Sequence, residues 1–218
     1  MFIVVDGIDG SGKGTQVRKL VEKLGQMGKK VKLLDYPRYG EASAFAVEKY
    51  LNGKYGTNVS AKQSSIFYAL DRYDDSFNFR DDLEKFDFVI SNRYVSANMI
   101  HQGGKISDAQ ERDEFLDWVY DLEFNIFKIP EPDKTIFLNV CPEMSQKLVM
   151  KKDDRAYLQG DAKMDIHEAD KNHLKNAWET ANYLVSKYDN WVKIDCEQNQ
   201  EMRSIDDIHS DILEEILD

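Results

Sequence analysis

Apolar residues along the chain form five short runs, separated by longer stretches in which they are more widely spaced. The runs are rich in β-branched and aromatic residues and cover residues 2–6, 31–35, 87–91, 135–141 and 191–196. Several are continuously apolar, which is typical of strands buried on both faces. Between the runs, apolar residues recur every three or four positions and predict helices. The clearest of these helices are predicted at residues 13–27 and 108–127 and from Ile205 to Ile216.

The order of these elements predicts the fold class. Strands that alternate with helices are joined by right-handed crossovers into a parallel sheet with helices on both faces. The helix predicted at residues 108–127 would bury Phe115, Trp118, Val119, Leu122 and Ile126 on one face. The sequence contains no internal repeat, low-complexity tract or interdomain linker. We therefore predict a single three-layer α/β domain over residues 1–218, with a five-stranded parallel sheet flanked by helices.

Composition and charge support a folded domain and limit its partners. Of the 218 residues, 42% are hydrophobic, which is enough to build a core. The formal net charge is −11, although residues 1–100 carry 15 basic and 13 acidic side chains and are slightly basic. Duplex nucleic acid and anionic membranes bind positive faces, so neither is an expected partner. No apolar run resembles a signal peptide or approaches the ~18 residues of a membrane span, and we expect a cytoplasmic protein.

A phosphate-binding loop is the first candidate site. The first strand is followed by a helix, and between them the chain reads Gly7-Ile8-Asp9-Gly10-Ser11-Gly12-Lys13-Gly14-Thr15, which fits the pattern G-x-x-x-x-G-K. In such loops, glycines let backbone N–H groups converge on phosphate oxygens, and the lysine reaches the β- and γ-phosphates. Gly14 stands where a hydroxyl usually contacts magnesium. Any metal here is therefore expected to be held by water, substrate phosphate and carboxylates.

Three later segments combine cations, aromatic rings and polar groups, as a mononucleotide acceptor requires. Residues 36–40 directly follow the second strand, where ligands of open α/β sheets bind. Tyr68 and Arg72 are four residues apart on a predicted helix and share a face. Arg93 follows the third strand, and Asn98 comes five residues later. Because these segments lie toward the same end of the sheet, together they indicate one acceptor site.

Taken in series, these segments resemble the thymidylate kinase family of nucleoside monophosphate kinases. The resemblance is carried by residues 7–16, the YPRYG segment, the FYALDR helix and the NRY segment, and its order and spacing extend from Met1 to near Asp195. It implies a five-stranded parallel sheet with a mobile lid, and transfer of the γ-phosphoryl group of ATP to dTMP with Mg²⁺. It also implies a homodimer, for which the aromatic-rich helices at 61–79 and 108–127 are candidate interfaces.

The resemblance assigns a role to each motif residue. Lys13 would bind the transferring phosphate, and Asp9 would face the sugar and the metal-bound phosphate of the acceptor. Arg38 and Arg93 would hold the acceptor phosphate. The other substrate contacts would come from Tyr39, Tyr68 stacked on thymine, Arg72 at a thymine carbonyl, Asn98 at the base N–H edge and His101 near the deoxyribose.

A lid is predicted at about residues 147–165 by the same resemblance. Phosphoryl transfer needs positive charge on the migrating group and exclusion of water. The phosphate loop contains no arginine, so Arg155 in the lid is the candidate for that charge. Glu168, near the start of the next predicted helix, is a candidate carboxylate for the metal together with Asp9.

Two departures from the family pattern keep other functions open. The third strand leads into Asn92-Arg93 where the family has Asp-Arg, which removes a carboxylate near the metal. His101 stands where the family commonly has an aromatic residue near the deoxyribose. The alternatives are a kinase with another or broader acceptor, such as dUMP, and a nucleotide-binding regulatory protein with weak catalysis. A GTPase is not expected, because the sequence has no N-K-x-D guanine motif.

Overall fold

The computed structural model describes residues 1–150 and 171–217. The strands are β1 Phe2–Asp6, β2 Val31–Asp35, β3 Phe88–Asn92, β4 Lys134–Asn139, β5 Trp191–Asp195, β6 Glu197–Gln198 and β7 Glu201–Met202. The α-helices are α1 Lys13–Gln26, α2 Phe45–Leu51, α3 Ala61–Phe79, α4 Asp82–Lys85, α5 Val95–His101, α6 Ala109–Tyr120, α7 Pro142–Met150, α8 Lys171–Lys187 and α9 Ile205–Leu217. None of these described helices is long and apolar enough to cross a membrane.

Strands β1 to β5 form one parallel sheet in the order β2-β3-β1-β4-β5, which places β1 at its centre. Val5 of β1 pairs with Asn92 of β3, and Asp35 of β2 pairs with the same residue from the other side. The carboxyl ends of these three strands therefore lie side by side, and the loops that follow them meet at one edge of the sheet. The predicted five-stranded parallel sheet is confirmed.

Two apolar cores cover the two faces of the sheet. Phe2 and Val4 of β1 belong to a core shared with α5, α6 and α8, whereas Ile3 and Val5 belong to a core shared with α1 and α9. All four side chains are at most 2% exposed, which explains why this run has no polar alternation. Burying a side chain of this size contributes about 1.5–3 kcal/mol. The fold therefore has the three predicted layers.

The helix predicted at residues 108–127 ends earlier than expected. After α6 the chain continues as a π-helical turn at Asp121–Ile126, and this wider turn changes which side chains face inward. Ile126, which was expected on the buried face, is 63% exposed, so that part of the prediction is wrong. Glu123 is instead fully buried, and its carboxylate becomes part of the site described below.

Candidate active site

The loop between β1 and α1 has the geometry of a phosphate cradle. Gly10 and Gly12 have left-handed φ angles of 83° and 86°, which glycine adopts without steric cost. A Cβ atom at Gly10 would lie 2.5 Å from the backbone oxygen of Ser145. Gly12 is the N-cap of α1, so the backbone N–H groups at the start of the helix lie at the loop. The loop can therefore bind phosphate oxygens through the backbone and the helix dipole.

Lys13, the first residue of α1, lies over this loop. Its Nζ donates hydrogen bonds to the backbone oxygens of Gly7 at 2.7 Å and Ile8 at 2.8 Å. The residue is only 6% exposed, so its charge acts in surroundings of low dielectric constant, where electrostatic interactions are strong. An ammonium group in this position can pass from loop carbonyls to the phosphate oxygens of a bound nucleotide.

A cavity of about 280 Å³ opens beside the loop. It is formed by residues at the carboxyl ends of β1, β2 and β3 and by side chains of α3 and α5. The predicted site residues that line it are Asp9, Tyr39, Tyr68, Arg72, Arg93, Asn98 and His101. The structure thus brings residues of all three predicted acceptor segments to one place, next to the phosphate-binding loop.

Arg93 is the centre of the charged part of the cavity. Its guanidinium forms an ion pair with Asp9, and its Nη1 donates to Nε2 of His101 at 3.0 Å. Burial alone would lower the pKa of Arg93, but the carboxylates of Asp9 and Asp6 raise it above its ordinary value. Arg93 also has a left-handed φ of 65°, a sparsely populated conformation for a non-glycine residue and one that clusters at functional sites. A permanent cation is therefore held at the cavity wall.

Arg72 and Asn98 form the part of the cavity that can read a base. Nε and Nη2 of Arg72 donate to the two carboxylate oxygens of Glu123 at 2.6 and 2.5 Å, and Nη1 donates to the backbone oxygen of Tyr94. Two N–H groups of the guanidinium have no partner in the described parts of the chain. Nδ2 of Asn98 donates to the backbone oxygen of Ser65 and to the carboxylate of Glu123. The Oδ1 of Asn98 is left as an acceptor. The cavity wall therefore offers a donor and an acceptor.

Arg38 is held by an acidic cluster on α3. Its guanidinium donates to carboxylates of Asp71, Asp74 and Asp75 on α3, at 3.0, 2.7 and 2.9 Å. It is not among the described residues that line the cavity, whereas its neighbour Tyr39 is. The three carboxylates hold the guanidinium against α3. The role of Arg38 at the acceptor phosphate stays a prediction.

Asp35 is a cavity residue that sequence reasoning missed. Nδ2 of Asn92 donates to its Oδ1 at 2.8 Å, across the pair of strands β2 and β3. Burial raises the pKa of Asp35, against the opposite effects of Asn92 and Arg93. The carboxylate that is missing at position 92 is thus present on the neighbouring strand. Its position at the end of the second apolar run, directly before the YPRYG segment, was the available signal.

Comparison with known proteins identifies the family. A family model for thymidylate kinase matches residues 5–212. The chain belongs to the thymidylate kinase family. It is 30% identical over 147 residues to the thymidylate kinase of Mycobacterium tuberculosis. The aligned segment covers 66% of this chain and 68% of that protein. It is 26% identical over 215 residues to the thymidylate kinase of Plasmodium falciparum, and this alignment covers 99% of this chain and 89% of that protein. The resemblance seen in the sequence is confirmed.

A solved structure agrees with this assignment at the level of the fold. Thymidylate kinase from Candida albicans matches with a TM-score of 0.74 and 21% sequence identity, covering 99% of this chain and 90% of that one. Three predicted features of the thymidylate kinase site lie wholly or partly outside the described residues, namely Arg155, Glu168 and the lid at about 147–165. Of the lid, only the end of α7 is described, and all three features stay predictions.

Proposed function

We propose that the protein transfers the γ-phosphoryl group of ATP to dTMP, giving dTDP and ADP. The observation that carries the proposal is the arrangement of one cavity beside the phosphate-binding loop. It combines a charged group, Asp9 with Arg93, and a base-reading group, Arg72 with Asn98. A nucleoside monophosphate carries a phosphate and a base on one sugar, so a single molecule can contact both groups.

Arg72 and Asn98 match the polar edge of thymine. A guanidinium N–H donates to a base carbonyl, and an amide oxygen accepts from the ring N–H that lies between the two thymine carbonyls. Cytosine has an acceptor nitrogen in place of the ring N–H and an amino group in place of the O4 carbonyl, so the contact of Asn98 would be lost, and with it the contact of Arg72 to O4. A site whose buried polar groups would be left unpaired rejects the wrong ligand strongly. Tyr68, also in the cavity wall, offers an aromatic ring for stacking.

The reacting phosphates lie between two fixed cations in this proposal. The loop and Lys13 bind the donor phosphates, and Arg93 binds the acceptor phosphate together with Tyr39. The transition state of phosphoryl transfer spreads negative charge over the oxygens of the migrating group. Cations that are already in place stabilise that charge without further reorganisation. The ion pair with Asp9 orients Arg93 for this role.

Mg²⁺ is the metal that we propose for the reaction. It prefers oxygen ligands and is commonly bound by one or two carboxylates together with substrate phosphates. Asp9 and Asp35 fit this requirement, because both carboxylates line the cavity. In the described residues, no group of three or more His, Cys, Asp and Glu side chains could hold a metal by itself, in keeping with a metal that needs the substrate. When bound, Mg²⁺ neutralises phosphate charge.

A coupled assay of ADP release tests the function. The purified full chain is given ATP and Mg²⁺ with dTMP, dUMP, UMP, CMP or AMP, and each reaction is repeated in EDTA. We expect dTMP to have the highest kcat/KM, at least about 100-fold above CMP, and no turnover in EDTA. Equal kcat/KM values for dTMP, CMP and AMP would contradict the proposed acceptor. Binding of ATP without turnover of any acceptor would instead support a regulatory protein.

We also propose that the protein forms a homodimer through α3. Four apolar side chains at helical spacing on this helix are 36–63% exposed, namely Ile66, Leu70, Tyr73 and Phe77. The ring of Tyr73 lies 4.7 Å from that of Phe127, so the apolar surface extends to the turn that carries the exposed Ile126. A continuous apolar surface of this kind marks an interaction site. The family resemblance makes a second copy of the chain the expected partner.

The Phe77→Glu variant is expected to be monomeric at concentrations where the wild-type protein is a dimer. A charge introduced into an apolar contact raises the dissociation constant by about 100-fold or more, because it must be desolvated without a partner. Light scattering measures the molar mass of both proteins. Met27→Glu is the matched control, because Met27 is 45% exposed and follows α1 on the other face of the sheet. A Phe77→Glu dimer as tight as wild type would exclude this interface.

A further inference from the structure

His101 and His173 form a buried pair beside the acceptor cavity. His101 ends α5, and His173 lies in the first turn of α8; they are 6% and 7% exposed. Their ring centroids are 5.5 Å apart, and the ring planes are inclined by only 18°. Nδ1 of His101 lies 3.3 Å from Nε2 of His173. The pair thus connects the start of α8 to the wall of the acceptor site.

The contact with Arg93 determines where the proton of His101 lies. Nη1 of Arg93 is 3.0 Å from Nε2 of His101, and a guanidinium can only donate. Nε2 must therefore be the acceptor, and the neutral ring carries its proton on Nδ1. Burial lowers the pKa of His101 well below its ordinary value, aided by the charges of Arg93 and Lys13 although Asp9 opposes them. Nδ1–H then donates to Nε2 of His173.

We propose that His173 is a positioning residue for Arg93 and acts through His101. By accepting the hydrogen bond, it stabilises the tautomer in which the lone pair of His101 Nε2 is directed at the guanidinium. The other tautomer would set an N–H group of the imidazole against an N–H group of Arg93. Since Asp9 forms an ion pair with the same guanidinium, Arg93 is fixed by two partners. His173 therefore contributes to the alignment of the cation that receives the acceptor phosphate.

The alternative role for His173 is packing, since its ring stacks on that of His101. The two roles predict opposite rankings for two variants. His173→Phe keeps a stacked ring and removes the acceptor, whereas His173→Gln removes the ring and keeps an amide oxygen that can accept near the position of Nε2. If the hydrogen bond matters, the phenylalanine variant is the worse enzyme. If only packing matters, the glutamine variant is worse.

Steady-state kinetics of the full chain test this ranking. We expect His173→Phe to raise the KM for dTMP about tenfold, as loss of one hydrogen bond in an aligned network would do, with the KM for ATP unchanged. His173→Gln should stay closer to wild type. Long-range ¹⁵N–¹H NMR spectra of the ligand-free protein give a readout independent of activity. They should show the Nδ1–H tautomer of His101 in the wild type and its loss or mixing in His173→Phe.

The inference rests on the proposed function of Arg93, and one further variant separates the two. Arg93→Lys keeps the charge and loses the donor geometry toward Asp9 and His101. If it leaves the KM for dTMP unchanged, the proposed role of Arg93 and the inference both fail. If it raises that KM while His173→Phe behaves as wild type in kinetics and spectra, the inference is overturned and the proposed function stands. A wild-type His101 in the Nε2–H tautomer would also overturn it.

Discussion

Replacing Lys13 by alanine is expected to lower kcat by about 10²–10³-fold, with smaller changes in the KM values for ATP and dTMP. The Nζ of Lys13 lies within 2.8 Å of two carbonyl oxygens of the phosphate-binding loop, and the residue is only 6% exposed. Its charge is therefore held at the loop before the nucleotide binds. Such a charge acts most strongly where negative charge develops, so its loss affects the transition state more than the bound substrates.

Lys19→Ala on the same helix is the matched control for this prediction. Lys19 forms an ion pair with Asp206, and its side chain is 36% exposed. Removing it changes the charge of the protein by the same amount, away from the loop, and is expected to leave kcat unchanged. Thermal denaturation of both variants shows whether each is folded. A folded Lys13→Ala enzyme with wild-type kcat would remove the loop from the mechanism.

The five strands could be predicted from the sequence because the physical signal is local. A strand covered by helices on both faces must be apolar at successive positions, and β1 shows this directly, with Phe2, Ile3, Val4 and Val5 divided between the two cores. The positions of Asp9 and Arg93 follow from the same reasoning. In a parallel sheet, the loops after neighbouring strands meet at one edge, so these two residues are brought into contact.

The partners of the charged residues could not be predicted, because they depend on contacts between distant segments. Glu123 reaches Arg72 only because the chain widens into a π-helical turn after α6, a change that apolar spacing does not reveal. The hydrogen bonds of Arg38 are governed by three carboxylates on α3 that local patterns describe only as a charged helix. Such pairings decide which cations face the cavity, and they require the tertiary structure.

The Arg72→Met variant is expected to lose about 3–5 kcal/mol of stability as well as affinity for dTMP. Arg72 is 2% exposed and Glu123 is fully buried, so removing the guanidinium leaves a carboxylate in the protein interior without its ion-pair partner. Chemical denaturation measures the free energy of unfolding. The same substitution removes the donor proposed for the thymine carbonyl, and the KM for dTMP is expected to rise about 10- to 100-fold.

A double variant separates these two effects. Replacing a buried ion pair by apolar side chains of similar volume is often neutral or stabilising. Arg72→Met combined with Glu123→Leu is therefore expected to recover most of the lost stability. Glu123→Leu also removes one acceptor of Asn98 Nδ2, and we expect the hydrogen bond to the backbone oxygen of Ser65 to keep the amide in place. A change in base selectivity that persists, and that exceeds the change in Glu123→Leu alone, can thus be assigned to the missing guanidinium.

The kinetic constants of the double variant decide the role of Arg72. If the guanidinium contacts the base, the recovered stability does not restore binding. The KM for dTMP then stays high, and the preference for dTMP over CMP is weakened. The value of kcat changes less, because Arg72 does not touch the reacting phosphates. If the ion pair only holds α3 against the π-helical turn, stability, KM and base preference return together. That second result would exclude Arg72 from base recognition and leave Asn98 as the base-reading residue of this cavity.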